Sequence, residues 1–176
     1  MASPQTPSVA SPAVDAFPEG ICGDFHMRIG RDGTWYYQGS PIGRIALVKL
    51  FSTVLHRKDD GSFWLTTPAE SGRIEVEDAP FIGVELQQEG AGRAQTLRIR
   101  TNIDDVVPLD KDHPLRIEES AEGNPRPYVF VRRGLEARIA RSVFYEMVAM
   151  AEPDPAQPDA LGVWSAGQFF RLGRTV

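Results

Sequence analysis

The residues best able to do chemistry gather in one short stretch. Asp104 and Asp105 follow Asn102, and Arg98 and Arg100 precede them. Adjacent carboxylates offer hard oxygen ligands to a divalent cation, and arginines beside them can clamp a phosphate through paired N–H donors. Joined by His113, the two aspartates would suit a metal-assisted phosphoester hydrolase. Successive residues of a strand point to opposite faces, so both carboxylates reach one metal only from a loop. Asn and Asp also bond their own backbone in turns. The stretch therefore reads first as a structural turn, then as a ligand contact, and last as a catalytic metal site.

Other chemistry has less footing. His26, His56 and His113 fit neither His-Glu-x-x-His nor a Cys/His spacing, and no metal is assigned. A Gly-x-Ser-x-Gly elbow is missing. Cys22 has no basic residue in the five positions before it, so it reads as a buried thiol and not as an activated one. Gly39-Ser-Pro-Ile-Gly43 lacks the Lys-Ser/Thr pair of a phosphate loop. Ser40-Pro41 suits a helix start instead, with the hydroxyl as cap and proline at the first helical position. The densest positive segment holds Arg132, Arg133, Arg138 and Arg141, while Trp35, Tyr36, Tyr37, Trp64 and Trp164 supply flat faces. Guanidinium forks with stacking rings are what an anionic, ring-bearing ligand requires. A solvated helix face and ordinary core tryptophans are the competing explanations.

The elements that must position these groups are mostly strands. Residues 25–29 and 34–37 flank Arg31-Asp32-Gly33, a hairpin turn. From Ser40-Pro41 the pattern predicts an amphipathic helix of about four turns, with Leu47, Val48, Leu50, Phe51, Val54 and Leu55 on one arc. Strands are expected at 63–67 and 73–77, then at 81–86, 96–101 and 106–107. In 96–101, Leu97 and Ile99 alternate with Arg98 and Arg100, giving one buried face and one cationic face. Further strands follow at 115–119 and 128–132, a helix over 136–151, and strands at 161–165 and 168–172. Strand–strand–helix–strand–strand thus occurs twice. A shift of 93 residues lays Leu50 on Val143, Phe51 on Phe144, Val54 on Met147 and Leu55 on Val148, which favours internal duplication. Tight turns between strands make the sheets mostly antiparallel, and the fold class α+β.

Composition bounds the rest. The 176 residues carry 19 Lys and Arg against 24 Asp and Glu, a net charge of −5. That balance argues against non-specific nucleic-acid binding, which needs clustered positive charge. One cysteine rules out an internal disulfide and fits a reducing cytoplasm. Nothing approaches the ~20 apolar residues of a membrane span. The Pro- and Ser-rich residues 1–16 are expected to form a disordered tail. Units at 17–80 and 81–176 follow it, and the prolines of 152–159 mark a surface loop within the second.

Several segments together resemble one bacterial family. They are Cys22-Gly-Asp-Phe25, Asp32-Gly-Thr-Trp35, Gly39-Ser-Pro-Ile42, Val76-Glu-Asp-Ala-Pro-Phe81, Thr101-Asn-Ile-Asp-Asp105, His113-Pro-Leu115, Arg132-Arg-Gly-Leu-Glu-Ala-Arg138 and Gly162-Val-Trp-Ser165. In this order, over residues 17–176, they are similar to the family called domain of unknown function 1285, which has no established activity. The resemblance implies a duplicated core and a C-terminal half superficially like a pleckstrin-homology fold. It also implies a cleft between the halves for a nucleotide-like ligand, and a part in signal transduction. Its motif positions fall on Trp35, Arg44, Thr101, Asn102, Asp104, Asp105, Arg132, Arg133 and Arg138. Arg100 joins them as a further anion contact and Trp164 as a stacking face.

The expected function is therefore a non-catalytic cytoplasmic binding protein for a small anionic ligand. The hydrolase built on Asp104, Asp105 and His113 and a protein-interaction module are the alternatives. The residues name no cofactor.

Overall fold

A computed structural model describes residues 22–174. The expected tail at 1–16 and the Cys22 side chain lie outside what it describes. The described residues are mostly β, with two nine-residue α-helices among them.

The first unit opens with β1 (Cys22–Ile29), β2 (Trp35–Tyr37) and β3 (Ser40–Pro41). It continues with α1 (Ile45–Thr53), β4 (Leu55–Arg57), β5 (Phe63–Thr66) and β6 (Ser71–Val76). Ser40-Pro41 does not begin the helix. Gln38 and Gly39, both at positive φ, form a two-residue turn that folds β3 back on β2, with Pro41 opposite Tyr36. Proline lacks an N–H, which an edge strand tolerates. The helix starts at Ile45 behind Arg44, with no side-chain cap, and is about half the expected length. It stops at Val54 because Leu55, fully buried, is drawn into β4 opposite Leu65.

The second unit holds β7 (Phe81–Glu89), β8 (Thr96–Thr101) and β9 (Val106–Pro108). After these come β10 (Leu115–Glu119), β11 (Pro125–Arg132), β12 (Leu135–Ile139), and α2 (Arg141–Ala149). Residues 135–139 are a strand, not the start of the expected helix. Leu135, Ala137 and Ile139 are buried alternately, and β12 pairs with β7, overriding the helix-favouring residue types. The β11–β12 turn places Arg133 and Gly134 at positive φ, the same device as Gln38-Gly39.

Each unit forms one six-stranded sheet, ordered β3-β2-β1-β6-β5-β4 in the first and β10-β11-β12-β7-β8-β9 in the second. Renumbered from its own first strand, the second order is the first one reversed, so the two topologies coincide. In both, two antiparallel three-strand meanders join through a parallel pair of the first and last strands, β1 with β6 and β7 with β12. The duplication therefore resides in the sheets. The repeat expected at a 93-residue shift does not hold, because α1 follows the third strand of its unit whereas α2 follows the sixth. From Ile45 to Arg141 the helix offset is 96, so Val48 corresponds to Phe144 and Phe51 to Met147.

A third, three-stranded sheet of β13 (Glu152–Pro153), β14 (Ala160–Ser165) and β15 (Gln168–Arg174) caps the second unit. The Ser165 hydroxyl accepts from the Leu97 amide at 2.9 Å, and Gln95 Nε2 donates to the Trp164 carbonyl at 2.9 Å. The proline loop is anchored by Asp154, which is buried, takes the Ala156 amide at 2.8 Å and pairs with Arg171 at 2.6 Å. One continuous apolar core runs from Ile29, Trp35 and Leu55 through Phe81, Leu97 and Ile99 to Val143 and Met147.

Candidate functional site

Most of the residues singled out from sequence meet where the two units touch. Gly33 lies in the β1–β2 turn at φ +81°, and a Cβ there would stand 2.7 Å from Asn102 Nδ2 and 2.9 Å from Ile82 Cγ1. Glycine thus lets the first unit's turn press against the second unit. Asn102 is fixed by its own sheet: its Oδ1 accepts from the Ile82 amide at 3.0 Å and its N–H donates to the Ile82 carbonyl at 2.8 Å. Thr101, fully buried, accepts the Asp105 amide through Oγ1 at 3.2 Å. Residues 101–105 are therefore a structural turn, with Asp104 at φ +66°.

The charges of this turn are already spoken for. Asp104 takes Lys49 of α1 at 2.6 Å and Arg100 at 2.9 Å, contacts that hold its carboxyl below the usual carboxylate range, the Lys49 hydrogen bond first. Arg100 also grips Glu85 at 2.8 Å. Asp105 pairs instead with Arg132, whose guanidinium also donates to the Ser52 carbonyl at 3.3 Å and lies 5.3 Å from the Phe81 ring centroid. Arg133 donates to the Thr53 carbonyl at 2.8 Å, so two successive arginines cap the C-terminal carbonyls of α1 from the other unit. Arg138 donates to the Arg31 carbonyl at 2.7 Å, while its Nε lies 3.1 Å from Asp78, near enough for charge attraction but misaligned for a hydrogen bond. Arg100, Thr101, Asn102, Asp104, Asp105, Arg132, Arg133 and Arg138 are thus one polar seam.

The other three lie elsewhere. Trp35 is core, 1% exposed and stacked on Phe51 with centroids 6.3 Å apart. Arg44 is an exposed residue just ahead of α1. Trp164 belongs to the third sheet, where its Nε1 donates to Glu152 at 2.6 Å and Arg93 covers its ring at 5.1 Å. The hydrolase geometry does not assemble. Asp104 and Asp105 point to different cations, and His113 is held by Asp110 at 2.9 Å. Burial alone would raise the Asp110 carboxyl, but hydrogen bonds from the His113 ring and from the Asp112 and His113 amides outweigh it and hold it low. No group of three or more His, Cys, Asp or Glu suited to a metal occurs among the described residues.

Beside the seam, both units line a polar cleft of about 360 Å3. Arg31, Arg57, Phe63, Glu77 and Asp78 face Arg116, Arg126, Tyr128 and Glu136 across it. Each of its carboxylates has an arginine partner: Glu77 pairs with Arg28, Asp78 with Arg126 at 3.1 Å, and Glu118 and Glu136 share Arg116, Glu136 at 2.7 Å. Tyr128 donates to Asp78 at 2.7 Å, and burial, then that bond, pushes its phenol up to about 12, so it stays a donor. Arg31 and Arg57 have no carboxylate partner among the described residues; Arg57 reaches only the Gly61 carbonyl at 3.3 Å and the Phe63 ring at 5.4 Å. None of these cleft residues was singled out from sequence as a contact. The segment joining the units, Val76-Glu-Asp-Ala-Pro-Phe81, supplies Glu77, Asp78, Ala79 and Pro80 to the cleft and is the signal in the sequence that could have pointed to it.

Family models match nearly the whole described chain. One, described as domain of unknown function (DUF1285), N-terminal domain, covers residues 12–79. Another, protein of unknown function (DUF1285), C-terminal domain, covers residues 80–172. The chain belongs to this family. It is similar to a DUF1285 family protein from Silicibacter pomeroyi DSS-3, known from a crystal structure, at 40% identity and a TM-score of 0.82. That match covers 94% of this chain and 91% of that one. A DUF1285 family crystal structure from Shewanella baltica OS155 is 28% identical with a TM-score of 0.55, covering 70% of this chain and 91% of that one. No curated protein matches. Among the described residues no helix is long and apolar enough to cross a membrane.

Proposed function

We propose that this DUF1285 protein is a non-catalytic cytoplasmic binding protein that holds a small anionic, nucleotide-like ligand in the cleft between its two units. The observation that carries the reading is the pair Arg31 and Arg57, guanidiniums without carboxylate partners in a cleft whose acids each have another arginine as partner. Two planar forks not taken up by a carboxylate favour phosphate or carboxylate oxygens, and the cleft volume is within the ~300–1,000 Å3 of small-molecule sites. Phe63, partly exposed, offers a ring face to a base, while Tyr128 is buried under Arg116 and contributes only its hydroxyl. In this reading the seam residues, from Arg100 to Arg138, fix the two walls and do not touch the ligand. Binding that tightens the seam would pass a signal to a protein partner. The pleckstrin-homology-like character of the C-terminal half belongs with this reading, supported by the β10–β12 meander that runs directly into α2.

Thermal melting with millimolar ATP, GMP or pyrophosphate tests it. A ligand at a hundredfold excess over Kd adds about 2.7 kcal/mol of apparent stability. Stabilisation by at least one probe is expected, and its loss in the Arg31→Gln/Arg57→Gln double variant. No stabilisation by any probe, or an undiminished response in the double variant, overturns the reading.

A further inference from the structure

Elsewhere on the first unit, α1 and the β1–β2 hairpin line a second hollow, of about 530 Å3, that shares no lining residue with the polar cleft. Its walls are apolar: Phe25, Met27, Ile42, Leu47, Phe51 and Leu65. The Phe25 ring lies across Gly72 of β6, where a Cβ would stand 2.5 Å from Phe25 Cδ2, so glycine there makes the groove floor possible. Tyr37, half exposed, stands at the mouth.

The mouth has a sign. Asp24 and Glu70 line it, and no Lys or Arg does. Asp24 and His26 stand there because β1 breaks register with β6 between Asp24 and Arg28, with His26 at φ +51° and its amide bonded to Asp24 at 2.7 Å. An apolar hollow floored by Phe25 and Phe51, with Tyr37 and two carboxylates at its rim, matches a positively charged nitrogen on an apolar body. The carboxylates attract the charge, the aromatic faces add cation–π attraction, and the hollow takes the hydrocarbon. A carboxylate-headed lipid of the same length meets repulsion instead.

We propose that this groove is a binding site for an organic cation with an aliphatic or aromatic body, an alkylamine or quaternary ammonium compound. Calorimetric titration of the full chain with decyltrimethylammonium, decanoate and decanol, all below their micelle concentrations, tests this. The cation is expected to bind saturably, one per chain, and about tenfold tighter than decanoate, since two rim charges act in a largely aqueous dielectric. Asp24→Asn/Glu70→Gln should bring the two charged probes within about twofold of each other. Tyr37→Ala, at an exposed position, and Leu47→Gln should each weaken all three probes. Decanoate binding as tightly as the cation, no saturable binding of the cation, or indifference to both Tyr37→Ala and Leu47→Gln overturns the proposal.

Discussion

The two units share one strand order and differ in what covers it. The second unit sends its helix out after the sixth strand, and α2 with the third sheet then closes over β7 and β8. Leu97, Ile99, Val143, Met147 and Val163 are all fully buried or nearly so. The first unit spends its helix between its third and fourth strands and has nothing after β6 to play the third sheet's part. Six of the nine residues of α1 are apolar, yet Ile45 is 53% and Leu50 61% exposed. A helix apolar nearly all round normally lies inside a protein. The same topology, capped by a third sheet in one copy and uncapped in the other, puts most of the fully buried side chains in the second half, while both helices still show apolar side chains to solvent, Ile45 and Leu50 on α1 and Tyr145 and Val148 on α2.

The contrast is easiest to break in the core. Met147→Ala should cost about 2–5 kcal/mol, the range for truncating a buried long side chain. Leu50→Ala should stay within about 0.5 kcal/mol, as for an exposed site. Urea unfolding monitored by tryptophan fluorescence measures both, and similar losses would mean that the α1 face is covered in solution. The next effect tests how closely the units touch. Gly33→Ala combines positive φ with a collision against Asn102 and Ile82 and should cost about 2–4 kcal/mol. Gly39→Ala has the same positive φ but open space around it, and should cost about 1 kcal/mol. Equal costs would deny the seam its tightness.

The smallest effect concerns the first unit's edge. His56 on β4 is buried beside the seam, and burial, then the charges of Lys58 and Arg133, lowers its pKa below the usual histidine value. A lowered folded-state pKa means the unfolded chain binds the proton more readily. The stabilising contribution is present above about pH 6.5, the unfolded value, and is lost as pH falls from there toward the folded pKa. Urea midpoints at pH 7.5 and 5.5 should therefore differ less in His56→Gln than in the parent. An unchanged difference would mean that the edge is wet.

Local pattern carried most of the strands. The alternation of Leu97 and Ile99 with arginines gave β8, and Arg31-Asp32-Gly33 gave the first turn. It failed at Ser40-Pro41, folded back onto the adjacent β2, and at residues 135–139, captured by β7 far away in the chain. Both failures sit next to a two-residue turn ending in glycine, Gln38-Gly39 and Arg133-Gly134, a cue as local as any that succeeded. For the site, spacing picked out charged residues that matter, but not what they face. Arg132 and Asp105 are 27 positions apart, and their pairing closes each off from a ligand. Arg31 and Arg57 belong to no arginine cluster in sequence; what distinguishes them is that no carboxylate pairs with either guanidinium among the described residues, which only the assembled fold reveals.

In each sheet the opening strand lies against the closing one, and this governs how the chain can be cut or built. Losing β6 or β12 would not trim a border; it would split the sheet along its middle and leave a three-strand and a two-strand ribbon with nothing to hold them in register. A nascent chain must therefore wait for its sixth strand before either ribbon is secured. That places the slow, long-range step of folding at the end of each unit, and it makes the centre of each sheet the part most exposed to sticky encounters until synthesis is complete.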